Sequence, residues 1–176
     1  QTKNQSVEIN GEMSKTDSAP LLVAVNNVDF ASINAFLPAS IQLKGTLNGG
    51  FALTNVFTKP IWTSNLNVDD FGINQEEYGD IFVESAWNEK LSCIQLAGGI
   101  NKLESSGVSF NGLYFPNDSI NPIDIDAKLS QFDLSFIQSF VDSTIVEIDG
   151  LADAEIKITG TIDNPQLFGT GVIKQG

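Results

Sequence analysis

The residues best equipped for chemistry in this chain are acidic. Three carboxylate pairs stand out by spacing: Asp69-Asp70, Glu76-Glu77, and Asp124 with Asp126. Two carboxylates held at different pKa values can divide the work of general acid and general base. That requires an environment that withdraws one of them from water. Asp124 and Asp126 alternate with Ile123 and Ile125, so they share the strand face turned away from the apolar residues. On that face they are solvated surface charges. Glu76-Glu77 runs into Tyr78-Gly79 and reads as loop and edge charge. The chain contains no His. This removes the commonest general base, the Ser-His and Cys-His nucleophile pairs, and imidazole ligands for a metal. Asn117-Asp118-Ser119-Ile120-Asn121 is the densest oxygen cluster, but it lacks the spacing of a calcium loop. It reads as a turn whose Asn and Asp side chains bond their own backbone. Cys93 is a single cysteine with strand-like flanks, Leu91, Ile94 and Leu96, and reads as a small buried hydrophobe. Neither Gly49-Gly50 nor Gly98-Gly99 leads into Lys-Ser/Thr on a helix, so neither is a phosphate loop. They mark strands that bend or bulge. Trp62 and Trp87 are core or rim aromatics, or stacking platforms for sugar. No enzyme, cofactor or metal site is expected.

Charge narrows the partners. The formal net charge is −13, and the nine cations are all Lys. Nucleic acid is excluded as a partner, because phosphate binding needs clustered cations. Without Arg there is no planar fork for bidentate phosphate or carboxylate clamps. Lys44, Lys59, Lys90, Lys102, Lys128, Lys157 and Lys174 are scattered and form no basic patch. An apolar fraction of 41% with twelve Phe excludes a disordered chain. One thiol fits a reducing cytosol or an envelope protein without disulfides. No apolar run reaches the roughly 20 residues that span a bilayer, and Gln1-Thr2-Lys3-Asn4 does not read as a signal peptide.

The elements that position these residues are strands. Ala152, Ala154, Ile156 and Ile158 alternate with Asp153, Glu155, Lys157 and Thr159. Leu66 and Val68, and Ile123, Ile125, Ala127 and Leu129, alternate with polar neighbours in the same way. One apolar and one wet face is the pattern of an exposed antiparallel sheet. Turns are expected at Asn10-Gly11, Asn48-Gly49-Gly50, Gly79-Asp80, Asn88-Glu89, Ser105-Ser106-Gly107, Asn117-Asp118 and Asp163-Asn164-Pro165, giving roughly a dozen strands. Two stretches depart from period two. Ile33, Phe36 and Leu37, and likewise Ile137, Phe140 and Val141, fall at i, i+3 and i+4, and predict short amphipathic helices at about 31–37 and 133–141. Each is too short to stand alone and must lay its stripe on the sheet as a plug or lid.

These two stretches belong to an internal repeat of about 105 residues, in which 28–62 matches 132–167. Gly45 corresponds to Gly150, Phe51 to Ile156, Leu53 to Ile158, Phe57 to Ile162, Pro60 to Pro165 and Trp62 to Leu167. A repeated β-rich unit implies an array in which neighbouring units share one apolar surface. With the strand-like ending at Val172-Ile173, it predicts that 1–176 is one segment of a longer array.

The run Gly150-Leu151-Ala152-Asp153-Ala154-Glu155-Ile156-Lys157-Ile158-Thr159-Gly160-Thr161-Ile162-Asp163-Asn164-Pro165-Gln166-Leu167-Phe168-Gly169, with the short helix before it, resembles the TamB family, the inner-membrane-anchored component of the translocation and assembly module of Gram-negative envelopes. Gly45 to Trp62 is a degenerate copy, with Asn55 and Val56 where the other has Gly160 and Thr161. The resemblance implies a long curved antiparallel sheet bent into a U-shaped β-taco with an apolar interior, as in AsmA-like proteins. It implies a periplasmic location, a parent protein anchored in the inner membrane, and an Omp85-type outer-membrane barrel as partner. It implies a role in outer-membrane protein assembly and in moving phospholipid between the membranes, with acyl chains or nascent outer-membrane β-strands as cargo.

Alternation selects the residues that would line such a groove: Phe51, Leu53, Phe57, Leu66, Val68, Ile81, Val83, Ile94, Leu96, Val108, Phe110, Ile123, Ile125, Ile156 and Ile158. The same pattern is met by a sheet that closes on itself as a filled sandwich. In that case the chain is a structural or adhesive β-array with a glycan or protein site on its surface.

Overall fold

A computed structural model describes residues 4–12, 19–37, 41–55, 61–103, 106–134 and 150–174. Ten strands lie in chain order in one antiparallel sheet: β1 (Ser6–Asn10), β2 (Leu21–Asp29), β3 (Leu43–Thr54), β4 (Ile61–Ile73), β5 (Glu76–Asn88), β6 (Cys93–Leu103), β7 (Ser106–Tyr114), β8 (Ile123–Asp133), β9 (Leu151–Gly160) and β10 (Pro165–Lys174). Every pairing joins sequence neighbours, so the sheet is a pure meander with β1 and β10 as its edges. It does not close into a barrel.

Two expected turns are strand interior, which is why ten strands form and not a dozen. Asn48-Gly49-Gly50 lies inside β3, with Gly49 at φ +124°. Gly79-Asp80 lies inside β5, and the chain reverses earlier, at Asn74 (φ +59°). Glycine there serves the sheet itself. A Cβ on Gly98 would lie 2.6 Å from the Phe110 ring, and one on Gly99 would lie 3.1 Å from the Phe82 ring. The expected bend or bulge at Gly98-Gly99 is absent: β6 stays in register with β5 there, and the missing side chains make room for one ring on each face.

Register shifts fall elsewhere, and three of them share one construction. Pairing shifts between Val25 and Val28, between Val68 and Phe71, and between Leu129 and Phe132. Each contains a non-glycine residue in the left-handed region: Asn27 (φ 50°), Asp70 (φ 53°) and Gln131 (φ 43°). In each, the N–H of that residue is taken by a side chain of the next strand. Asn27 donates to Asn48 Oδ1 (2.8 Å), Asp70 to Asp80 Oδ1 (2.9 Å) and Gln131 to Asp153 Oδ1 (2.8 Å). The amide that the bulge removes from the ladder is thereby satisfied. Asn27 and Gln131 occupy matching positions of the sequence repeat.

The first expected helix is two successive 3-10 turns, Phe30–Ser32 and Asn34–Phe36. Its predicted stripe does not face the sheet: Phe36 is 87% exposed and Ile33 38%. The anchors are different residues. Phe30 meets Phe71 edge-on at 6.4 Å between ring centroids, and Phe71 in turn packs on Tyr78 at 6.3 Å. Asn34 then mimics a strand, accepting from Leu43 N–H and donating to the Leu43 carbonyl, both at 2.9 Å. With three residues per turn, the i, i+3, i+4 stripe of an α-helix does not form. The second expected helix, and the lining candidate Phe57, lie outside the described residues.

Candidate functional site: one apolar face and its two rims

Registers decide which side chains share a face. Val7, Val25, Gly49, Leu66, Val83, Gly98, Phe110, Ala127, Ile156 and Gly169 are successive cross-strand partners from β1 to β10. A second row on the same face runs Leu47, Val68, Ile81, Ile100, Val108, Leu129 and Ala154. A third runs Phe51, Ser64, Ser85, Leu96, Gly112, Ile125 and Ile158. An outer row holds Leu53, Trp62, Trp87, Ile94, Tyr114 and Ile123. The structure therefore brings fourteen lining candidates onto one face: Phe51, Leu53, Leu66, Val68, Ile81, Val83, Ile94, Leu96, Val108, Phe110, Ile123, Ile125, Ile156 and Ile158. Leu47, Ile100 and Leu129 join them there, with Trp62, Trp87 and Tyr114; of these, alternation had already set Leu129 on the apolar face, and Trp62 and Trp87 were expected as core or rim aromatics. Period two from either neighbour would have found Leu47 and Ile100.

This face has no second layer among the described residues. Apart from the first 3-10 turn on β3, every substantial contact between elements joins sequence-adjacent strands. Val68 and Ile94 are buried, and most of the remaining face is half-buried by its own neighbours. The total accessible surface is 11826 Å², against about 8,400 Å² expected for a compact chain of this mass.

The opposite face is wet, as alternation requires. Asn65, Glu84, Ala97, Asn111, Asp126 and Lys157 form its central row, and Phe82, Leu113 and Phe168 are apolar residues among the polar ones there. Lys157 bridges Asp124 and, at 3.1 Å, Asp126. Those two carboxylates, Asp124 first, raise the Lys157 pKa. Lys174 pairs with Asp153 at 2.9 Å and, together with the Gln131 N–H, holds that carboxyl below its usual range. Shallow open depressions of about 650 Å³ and 700 Å³ run over this face, sharing Asn111, Asp126 and Lys157. The Asp124 and Asp126 pair is thus tied to one lysine on the sheet surface, with Asp124 Oδ1 tucked away from solvent and Asp126 open to it. Asp118 Oδ1 accepts from Ile120 N–H (2.8 Å) and Asn121 N–H (3.0 Å), the latter being the larger cause of its lowered pKa. That is the self-bonded turn expected from the sequence. Cys93 is fully buried, and burial pushes its thiol pKa up. Among the described residues no group of His, Cys, Asp or Glu is placed to hold a metal ion.

The two rims differ. At the rim where β4, β6, β8 and β10 begin stand Trp62, Trp87 and Tyr114. At the other stand the 3-10 turns, the Phe30–Phe71–Tyr78 cluster and the buried Phe132, Leu134 and Ala152. No described helix is long and apolar enough to cross a membrane.

A single-sheet meander with one apolar and one charged face, and no second layer among the described residues, belongs to the class of open β scaffolds. The family model for the TamB N-terminal domain matches residues 1–173, and the chain belongs to that family. Membership makes it TamB-like, a class of envelope-associated proteins. No curated protein matches the chain, and no solved structure does.

Proposed function

We propose that this chain is a non-enzymatic, periplasmic stretch of a TamB-like protein whose apolar face carries phospholipid acyl chains between the inner and outer membranes. The observation that supports this reading is the continuity of the apolar rows from strand to strand, with no described layer over them. Burying hydrocarbon against such a surface is worth about 0.8 kcal/mol per methylene. Two of these rows, through Leu66 and through Val68, have no polar side chain, and along them a chain slides from one strand to the next at nearly constant energy. An Omp85-type barrel in the outer membrane is the partner of the full-length protein in this reading, and the parent is anchored in the inner membrane. Purification followed by organic-solvent extraction tests it: the reading expects phospholipid in the extract. A lipid-free extract from protein purified without detergent contradicts it.

The second cargo is a nascent outer-membrane β-strand, which would bind by β-augmentation at an unpaired sheet edge. A closed adhesive array draws no such support, since Trp62 and Trp87 stand on the apolar face and not among the polar groups a glycan would need.

A further inference from the structure

The two rims of the apolar face present different chemistry to whatever lies on it. Trp62, Trp87 and Tyr114 stand in the outermost row at one rim. Trp62 is 40% exposed, and the other two are half-buried. Among the described residues neither indole N–H nor the Tyr114 hydroxyl has a hydrogen-bond partner. Rings of this kind settle where hydrocarbon gives way to ester and headgroup, with the ring on the greasy side and the N–H or O–H on the wet side. One step inward lie Ser64 and Ser85, whose hydroxyls bond each other at 2.8 Å on this otherwise apolar face. Beyond them come Leu66 with Val83, then Val68 with Ile81. From Trp62 to Val68 is about 20 Å along the strand, enough for the roughly 15 Å of hydrocarbon in one bilayer leaflet. Carboxylates stand at both rims, Glu89, Asp118 and Asp163 at this one and the larger set of Asp29, Asp69, Asp70, Glu76 and Glu77 at the other, so the other rim repels a phosphate more strongly.

We infer that the Trp62–Trp87–Tyr114 rim is the headgroup rim of a site for a zwitterionic diacyl phospholipid with an ammonium headgroup. The ester region lies at the three rings, and the chains run along the strands toward Val68 and Ile81. The net charge of −13 disfavours a net-negative lipid, and an ammonium gains cation–π attraction from an indole face. This assignment rests on the acyl-chain reading above and adds the orientation and class of the lipid.

The chain has two Trp, so each is a local probe. The variants Trp62→Phe and Trp87→Phe each leave one indole, and the unsubstituted chain carries the same comparison should either variant misfold. Each protein is loaded from vesicles of phosphatidylcholine brominated either beside the ester or near the terminal methyl, and retained lipid is measured by extraction. The expected result is several-fold stronger fluorescence quenching by the ester-side bromine, with phosphatidylglycerol of the same chains retained several-fold less. Retained lipid with equal or stronger quenching from the methyl end, or equal retention of phosphatidylglycerol, overturns the assignment and leaves the acyl-chain reading standing. Retention of neither lipid overturns both.

Discussion

At the scale of single residues, exposure separates side chains that sequence patterning treats alike. Phe30 and Phe36 sit in the same short segment, yet only Phe30 reaches another ring. Replacing Phe36 with Ala is expected to change unfolding free energy by less than about 0.5 kcal/mol. Phe30→Ala removes the edge-on contact and part of a half-buried ring, and is expected to cost about 1–3 kcal/mol. Denaturant titration of the two variants reads both numbers. Gly98→Ala is expected to destabilise by about 1–3 kcal/mol, because the new methyl collides with the Phe82 carbonyl oxygen as well as with the Phe110 ring. Combining it with Phe110→Leu should recover only part of the cost, since the backbone clash remains. Burial of Cys93 predicts that a thiol reagent modifies the native chain slowly and the unfolded chain at the ordinary rate.

At the scale of elements, the bulges organise the rim that carries the 3-10 turns. Asp153 serves two strands at once, accepting the Gln131 N–H from β8 and pairing with Lys174 of β10. Its carboxyl pKa is lowered, first by Lys174 and then by Gln131. A group whose folded pKa lies below its unfolded value stabilises the fold above the unfolded pKa, and loses that contribution as pH falls through the folded value. The contribution of Asp153 is therefore present at neutral pH and lost in acid, below the ordinary carboxylate range. Asp153→Asn keeps an acceptor for Gln131 but ends the ion pair, so this part of the acid-dependent loss should vanish from its pH–stability profile. Asp153→Ala removes the acceptor as well and should unfold at lower denaturant than Asp153→Asn. An identical pH profile for wild type and Asp153→Asn would assign the acid sensitivity elsewhere.

How far these elements were legible depends on the kind of signal. Alternation is a repeated signal, and it assigned Leu66, Val83, Ile125 and Ile156 to one face across four different strands. Single glycines and three-point stripes are not repeated, and they misled. Asn48-Gly49-Gly50 has turn composition, but its glycines serve a left-handed residue and close cross-strand approach within β3. Ile33, Phe36 and Leu37 have α spacing, but the segment winds three residues per turn. The bulges left no local trace, since Asn27 and Gln131 are bonded by side chains 21 and 22 residues further along. The rim aromatics were visible as residue types only, because which row a Trp joins is decided by register.

At the scale of the whole molecule, the account depends on an apolar face that is not the core of a sandwich. An open face tolerates a charge where a core does not. Leu66→Asp and Phe110→Asp are expected to leave a folded sheet, with a cost near that of losing one half-buried side chain, about 1–2 kcal/mol. Ile94→Asp, at a buried position of the same face, is expected to unfold the chain. The difference is read by circular dichroism and thermal unfolding. Loss of fold in all three variants would mean that something covers the face throughout.

The most direct measurement is photo-crosslinking in the cell from a reactive side chain placed on either face of the sheet. Positions 66 and 156 lie in one apolar row, and position 126 lies on the wet face. The account predicts phospholipid adducts at Leu66 and Ile156 and none at Asp126. Adducts absent from the two apolar positions, or equally abundant at Asp126, would contradict it.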